Sequence, residues 1–193
     1  GDMLYLPPRL AHNGIALSEC MTWSVGFRAP THQEIASAFL SYLQDRLTLE
    51  GRYADPDLTV PVHPAELPQS MVERLGSVID SIRWDETDIR DFLGNYLSEP
   101  KANVFFDPPR RPMPAEAFAK AASESGVRLD ARTRLLFSDG TFFINGERFE
   151  VPTRSRRALM TLADRRCCPP AYVPAGLHSL LYEWYLAGYL RPG

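Results

Sequence analysis

The fold class of this chain is decided by its first stretch, GDMLYLPPRLAH (residues 1–12). The apolar residues 3–6 predict a β-strand, and the two prolines that follow predict a turn. Residues 14–17 and 21–27 predict two more strands, and in the second of these bulky side chains alternate with small ones. Because such strands need neighbours on both sides, this start predicts part of a barrel whose other strands precede Gly1.

Two motifs lie within this β-rich start. The first has Gly1, Pro7 and His12 at the spacing of the second cupin motif, with Arg9 and Ala16 in place of the usual Gly and Asn. The second is SVGFRAP (residues 24–30), a short distance after His12. Together they resemble the JmjC-like branch of the cupin superfamily, and most closely the bacterial ribosomal oxygenases that hydroxylate an arginine of a large-subunit ribosomal protein. The resemblance covers essentially the whole chain, which corresponds to the C-terminal portion of such an enzyme.

The resemblance implies a chemistry and a metal ligand. Enzymes of this family hold Fe(II) through two histidines and one carboxylate, and the opposite face of the metal stays open for 2-oxoglutarate and oxygen. His12 matches the late histidine ligand of the family. We expect the early His-x-Asp/Glu pair upstream of Gly1, so this chain alone is not expected to bind Fe(II) and 2-oxoglutarate. The parent protein is predicted to be a dioxygenase, and whether this chain is an enzyme by itself stays open.

Three polar residues near His12 are further candidates. Thr22 and Ser24 lie on the small-residue face of the predicted strand at residues 21–27. They would line the substrate side of a barrel, or they simply alternate within an ordinary strand. Asn13 would orient His12 through a hydrogen bond, although an Asn that precedes a Gly is more often a turn residue, which is the interpretation that we favour.

The whole chain predicts an α+β protein in four segments. They are residues 1–30 (the C-terminal strands of a cupin/JmjC barrel, a double-stranded β-helix), 31–99 (a helical dimerisation region), 100–113 (a proline-rich linker) and 114–193 (a winged-helix-like domain). The linker follows from DPPRRPMP, because proline does not continue a helix or a central strand. The family resemblance implies the same order of segments.

Local signals predict three helices in the dimerisation region. Thr31 and Glu34 form a capping-box pattern at the start of the first helix. The second helix is predicted to begin near Pro64 or Pro68, after a loop at residues 53–64, and the third to span residues 85–97. Their amphipathic patterns indicate a small bundle or a dimerisation element, and we therefore expect a homodimer.

The last segment mixes helices with a β-hairpin. Helices are predicted at residues 115–123, at residues 153–165 with Thr153 as the cap, and at residues 175–187. Strands are predicted at residues 134–137 and 141–144 around the Ser138-Asp139-Gly140 turn, and at residues 147–151 after the Asn145-Gly146 turn. This order of elements is typical of a winged-helix-like module.

Composition narrows the functional classes. The 193 residues carry a formal net charge of -3, which argues against unspecific nucleic-acid binding by the whole chain. The basic segment at residues 153–166 could still contact phosphates, but we favour a solvated basic face. The three cysteines include no C-x-x-C pair and do not form a disulfide framework. No apolar stretch is long enough for a membrane span. From both observations we expect a cytoplasmic protein.

An alternative function is a non-catalytic module that binds nucleic acid or another protein through the winged-helix-like domain. The oxygenase hypothesis predicts a His-x-Asp/Glu pair upstream of Gly1, whereas the alternative predicts a native start close to Gly1. The absence of Met at position 1 favours the oxygenase hypothesis.

Overall fold

The computed structural model describes residues 2–7, 9–26, 29–56 and 62–193. The α-helices in these ranges are α1 (His32–Arg46), α2 (Gln69–Asp80), α3 (Glu86–Ser98), α4 (Ala115–Ser125), α5 (Thr153–Arg165) and α6 (His178–Leu186). The strands are β1 (Val127–Leu129), β2 (Leu135–Ser138), β3 (Thr141–Ile144), β4 (Glu147–Glu150), β5 (Cys167–Cys168) and β6 (Leu190–Pro192).

The described residues of the three predicted strands, 3–6, 14–17 and 21–26, form no strand. The described part of residues 1–30 contains no strand, and its large apolar side chains face solvent; Trp23, for example, is 85% exposed. The reason is that a strand requires hydrogen-bonding neighbours, and no other described segment pairs with this one. Gly1, Phe27 and Arg28, which belong to the two N-terminal motifs, lie outside the described residues, as do residues 57–61 of the predicted loop.

The helix starts follow their local signals. The Thr31 hydroxyl accepts from the Glu34 backbone N–H at 3.1 Å, and the Glu34 carboxylate accepts from the Thr31 N–H at 2.7 Å, which confirms the capping box of α1. Helix α2 begins directly after Pro68, one of the two predicted starts. Helix α3 begins after Asp85, whose carboxylate accepts from the Thr87 and Asp88 N–H groups.

The C-terminal unit contains two small antiparallel sheets, with strand orders β2-β3-β4 and β5-β1-β6. The first is the predicted meander, and Asn145 and Gly146 in its second turn have φ values of 50° and 93°. The second sheet was not predicted. Helix α5 also differs in detail, because its N-cap is Pro152 and Thr153 is its first residue. The predicted helix at residues 175–187 begins with a short 3-10 turn, Ala175–Leu177, before α6.

One hydrophobic core joins both sheets to the helices that cover them. Its fully buried members include Phe118 of α4, Phe142 of β3, Leu159 and Leu162 of α5, and Leu181 of α6. These residues come from both the helices and the central strand of the meander, so the C-terminal unit is stabilised as one packed body.

Helix α3 packs against the meander. Gly94 faces the buried ring of Phe143, and a Cβ at position 94 would lie 2.5 Å from ring atoms, so only glycine permits this close approach. The buried Asp91 forms an ion pair with Arg148 of β4, with 3.0 Å between Asp91 Oδ2 and Arg148 Nε. The Gly146 N–H donates to the Ser98 hydroxyl at 3.0 Å. These contacts attach α3 to the C-terminal unit.

The proline-rich segment at residues 100–113 also lies on this unit. Phe106 packs edge-on against Tyr189, and Arg132 donates to the Phe105 carbonyl at 2.6 Å. Tyr185 accepts from the Met113 N–H, and Tyr182 donates to the Met113 carbonyl. The segment is therefore held along its length, while the boundaries 1–30, 31–99, 100–113 and 114–193 remain predictions.

Candidate functional site

His12 lies on an exposed, irregular segment. Its Nδ1 is 3.2 Å from the carbonyl oxygen of Leu10. If Nδ1 carries the proton and donates to that carbonyl, Nε2 keeps a free lone pair, which is one of the two tautomers through which histidine binds a metal. The local geometry therefore suits His12 for a role as one metal ligand.

The described residues do not complete a metal site around His12. Among them, no group of three or more His, Cys, Asp or Glu side chains is close enough to hold a metal ion. A facial Fe(II) site requires two histidines and one carboxylate. The part of the chain that the structure describes therefore offers His12 as a candidate for only one of the three ligands that such a site requires.

The chain itself contains one His-x-Glu sequence, His32-Gln33-Glu34, apart from the pair expected upstream of Gly1. The pair is at the first turn of α1 rather than upstream of His12. Its carboxylate accepts the Thr31 N–H in the capping box. The local role of Glu34 is thus to start a helix.

Asn13, Thr22 and Ser24 are exposed. The structure assigns their side chains no hydrogen bond to His12 or to any other described residue. The roles proposed for them from the sequence, lining a pocket for Thr22 and Ser24 and orienting His12 for Asn13, stay predictions.

The basic segment at residues 153–166 does not form one uniform charged face. The Arg166 guanidinium donates to the carbonyls of Thr133 (2.6 Å) and Asp130 (2.5 Å), so this residue clamps the turn that follows β1. Arg157 lies over the ring of Tyr172 at 5.9 Å, and Arg156 lies beside Gly140 in the β2–β3 turn. Arg154 and Arg165 are exposed. Part of the positive charge therefore has a structural role.

A cleft beside the β5-β1-β6 sheet is lined by charged side chains that are far apart in the sequence. Arg128 of β1 and Arg191 of β6 are directly opposite each other in the sheet, and Arg166, Asp107 and Asp130 also line the cleft. Arg132 pairs with Asp130 at 2.8 Å and with Asp107 at 2.9 Å. The hydrogen bond from Arg132 holds the pKa of Asp130 below its ordinary value, so this carboxylate is ionised and already partnered. No sequence signal marks the cleft, because β1 and β6 meet only through long-range pairing.

Fold and sequence together define a class: a winged-helix unit that follows the end of a JmjC domain. The model for the ROXA-like winged helix matches residues 81–191, and the model for the JmjC domain matches residues 1–35. The chain belongs to the family with the ROXA-like winged helix, and its resemblance to ribosomal oxygenases is confirmed.

Two relatives have names that describe their activity. The ribosomal protein uL16 3-hydroxylase of Escherichia coli K12 is 35% identical over 157 residues, which cover 80% of this chain and 42% of that protein. A probable ribosomal oxygenase of Haemophilus influenzae is 38% identical over 82 residues, or 42% of this chain and 18% of that protein. This chain thus spans less than half of the length of either relative.

Solved structures show the same fold. The crystal structure of the Escherichia coli ribosomal oxygenase YcfD matches with a TM-score of 0.66 at 24% identity, over 86% of this chain and 47% of that chain. The YcfD structure in complex with cobalt and 2-oxoglutarate matches with a TM-score of 0.66 at 23% identity, over the same shares. Within the described ranges of the present chain, no helix is both long and apolar enough to span a membrane.

Proposed function

We propose that this chain is the C-terminal portion of an Fe(II)- and 2-oxoglutarate-dependent oxygenase that hydroxylates a side chain of a large-subunit ribosomal protein in the cytoplasm, with arginine as the target residue. The observation that carries the proposal is the match of residues 1–35 to a JmjC domain, followed at residues 81–191 by a ROXA-like winged helix. The name of the Escherichia coli relative supports a ribosomal protein as substrate. The cobalt and 2-oxoglutarate in the YcfD complex support the proposal that the enzyme uses a metal ion and 2-oxoglutarate.

His12 supplies one iron ligand in this proposal, and the other two come from residues outside this chain. A hydrogen bond from Nδ1 to the Leu10 carbonyl, 3.2 Å away, would orient the ring and leave Nε2 free to bind the metal. Thr22 and Ser24 line the substrate side, and Asn13 supports the His12 ring. When bound, Fe(II) with 2-oxoglutarate supplies the oxidising power for the hydroxylation of a carbon–hydrogen bond.

The metal-binding part of the proposal is tested by titrating this 193-residue chain with Mn(II), an oxygen-stable substitute for Fe(II). We expect weak binding, because a single imidazole does not hold a divalent ion tightly. His12→Ala and His32→Ala are then expected to change the affinity by less than about twofold, as is the control His63→Ala, which replaces another exposed histidine.

Tight binding that is lost in His12→Ala would contradict the proposal that the remaining ligands lie outside the chain. If His32→Ala abolished the same binding, the ligands would be His12 and the His32-Gln33-Glu34 pair. Isothermal calorimetry and the Mn(II) electron paramagnetic resonance signal both report the bound fraction.

We further propose that the helical region forms a homodimer through α2. None of the residues of α2 is buried, and Val72, Leu75, Val78 and Ile79 are each about half exposed. These residues recur at helical spacing and so form one apolar stripe. A soluble protein rarely leaves such a stripe in water, and a second copy of α2 would cover it.

The dimer is tested by sedimentation velocity on the double variant Leu75→Glu/Ile79→Glu. The two introduced carboxylates of one copy would lie against those of the second copy, and the like charges would repel each other. We therefore expect the dimer to dissociate at concentrations where the unsubstituted chain remains dimeric. The control Ser70→Glu/Ser77→Glu adds the same charge on the opposite face of α2 and is expected to leave the mass unchanged. A monomeric unsubstituted chain would contradict the proposal.

A further inference from the structure

The cleft beside the β5-β1-β6 sheet has an unusual charge arrangement. Register places Arg128 of β1 directly opposite Arg191 of β6, and both side chains are exposed. Because the flanking Val127, Leu129 and Leu190 are buried, the two arginines share the outer face of the sheet. Like charges in directly opposite positions repel each other and destabilise a sheet.

Within the described ranges, no carboxylate relieves the repulsion between the two arginines. Neither Arg128 nor Arg191 forms an ion pair with any residue that the structure describes. The two acids of the cleft, Asp107 and Asp130, are both bound to Arg132. Arg166, which also lines the cleft, donates to two backbone carbonyls and is paired with no carboxylate among the described residues.

The charges of the cleft therefore do not cancel. Arg128, Arg166 and Arg191 line it together with two aspartates whose charges are shared with Arg132, although the chain as a whole has a net charge of -3. The cleft has a volume of about 500 Å³, which accommodates a phosphate group together with part of the molecule that carries it. Two arginines in opposite positions on one face of the sheet offer planar, paired donors that match phosphate oxygens.

We propose that this cleft binds a phosphate group, held chiefly between Arg128 and Arg191. The bound anion removes the repulsion between the two guanidinium groups, so binding stabilises the sheet. The phosphate belongs either to a small phosphorylated molecule or to the backbone of an RNA strand. The site is independent of His12 and of the proposed oxygenase activity.

The test compares the intact chain with Arg128→Gln/Arg191→Gln, which keeps a polar side chain at both positions and removes both charges. At constant ionic strength, inorganic phosphate is expected to raise the Tm of the intact chain by a few degrees and to have little effect on the double variant. The affinity for phosphate, measured by calorimetry, should fall by at least about tenfold in the double variant. The matched control Arg154→Gln/Arg157→Gln removes two arginines of α5 and should keep the response to phosphate.

A second readout separates this site from a surface where phosphate merely screens charge. Without phosphate and at low salt, Arg128→Gln alone should raise the Tm slightly, because the repulsion from Arg191 is lost. Equal phosphate responses in the intact chain and the Arg128→Gln/Arg191→Gln variant would overturn the proposal. The proposal would also be overturned if the Arg154→Gln/Arg157→Gln control lost as much of the phosphate response as the Arg128→Gln/Arg191→Gln variant.

A short single-stranded RNA, titrated against the same three proteins, identifies the source of the phosphate. Binding that is much tighter than that of inorganic phosphate, and that weakens in Arg128→Gln/Arg191→Gln, would assign the site to an RNA backbone. RNA binding no tighter than phosphate binding, with the same dependence on the two arginines, would assign it to a small phosphorylated molecule.

Discussion

His12→Ala is expected to lower 2-oxoglutarate turnover by at least about a hundredfold in a protein that joins this chain to a complete JmjC domain. Loss of residues that merely support a metal ligand typically costs about tenfold to a hundredfold, and a ligand itself contributes more. The physical reason is that the two remaining ligands would hold Fe(II) weakly and leave its geometry open. Succinate formation in the presence of a large-subunit ribosomal protein is the measurement.

The expected loss would not come from unfolding. His12 is exposed and belongs to no helix or strand, so the substitution removes no core contact. Thermal unfolding of the winged-helix unit should be unchanged in His12→Ala, and the control His63→Ala should retain full turnover. Turnover of His12→Ala within a few-fold of the unsubstituted protein would rule out His12 as a metal ligand.

Phe118→Ala is expected to lower the free energy of unfolding of the C-terminal unit by about 4 kcal/mol. Phe118 is fully buried, and its ring contacts those of Tyr185 and Tyr182 at centroid distances of 5.0 Å and 5.5 Å. The substitution removes this apolar contact area and leaves a cavity between α4 and α6, which the rigid tyrosine rings fill only in part. A loss of this size would leave the unit marginally stable at physiological temperature.

Urea denaturation followed by tryptophan fluorescence measures this loss, because Trp184 is buried in the same core and reports its unfolding. The matched control is Phe105→Ala. Phe105 is 74% exposed, and only its backbone carbonyl takes part in the contact with Arg132. We expect a change below about 1 kcal/mol in the control. Similar losses in both variants would mean that the Phe118 ring is not part of a tightly packed core.

The helices and the β2-β3-β4 meander could be predicted because their signals are local. The capping box of Thr31 and Glu34 involves residues three positions apart, and Asp85 caps α3 through N–H groups two and three residues further along the chain. The Asn145-Gly146 turn likewise acts on the two strands that it joins. Such interactions form whatever the rest of the chain does, so a single sequence contains them.

The β5-β1-β6 sheet could not be predicted in the same way. Its strands have only two or three residues, which is too short for an alternating pattern to be recognised. They exist because Val127 pairs with Cys168 on one side and with Pro192 on the other. Pairing over such distances along the chain depends on how α4, α5 and α6 pack, and that is a property of the core.

The N-terminal segment shows the opposite case. Its alternating pattern and its two motifs identify the family, and the JmjC match to residues 1–35 agrees with them. Yet the described residues of this segment form no strand. The alternating pattern indicates which side chains would face the interior of a barrel, but a strand also needs a neighbouring strand to which its backbone can hydrogen-bond.

The sequence by itself determined the family, the order of helices and hairpin, and His12 as a candidate ligand. Only the tertiary structure placed Arg128 opposite Arg191 and bound Asp107 and Asp130 to Arg132. Motifs and caps depend on spacing along the chain, which the sequence contains directly. The charge of a cleft depends on which distant side chains the core brings together and which of them are already paired, and folding alone decides that.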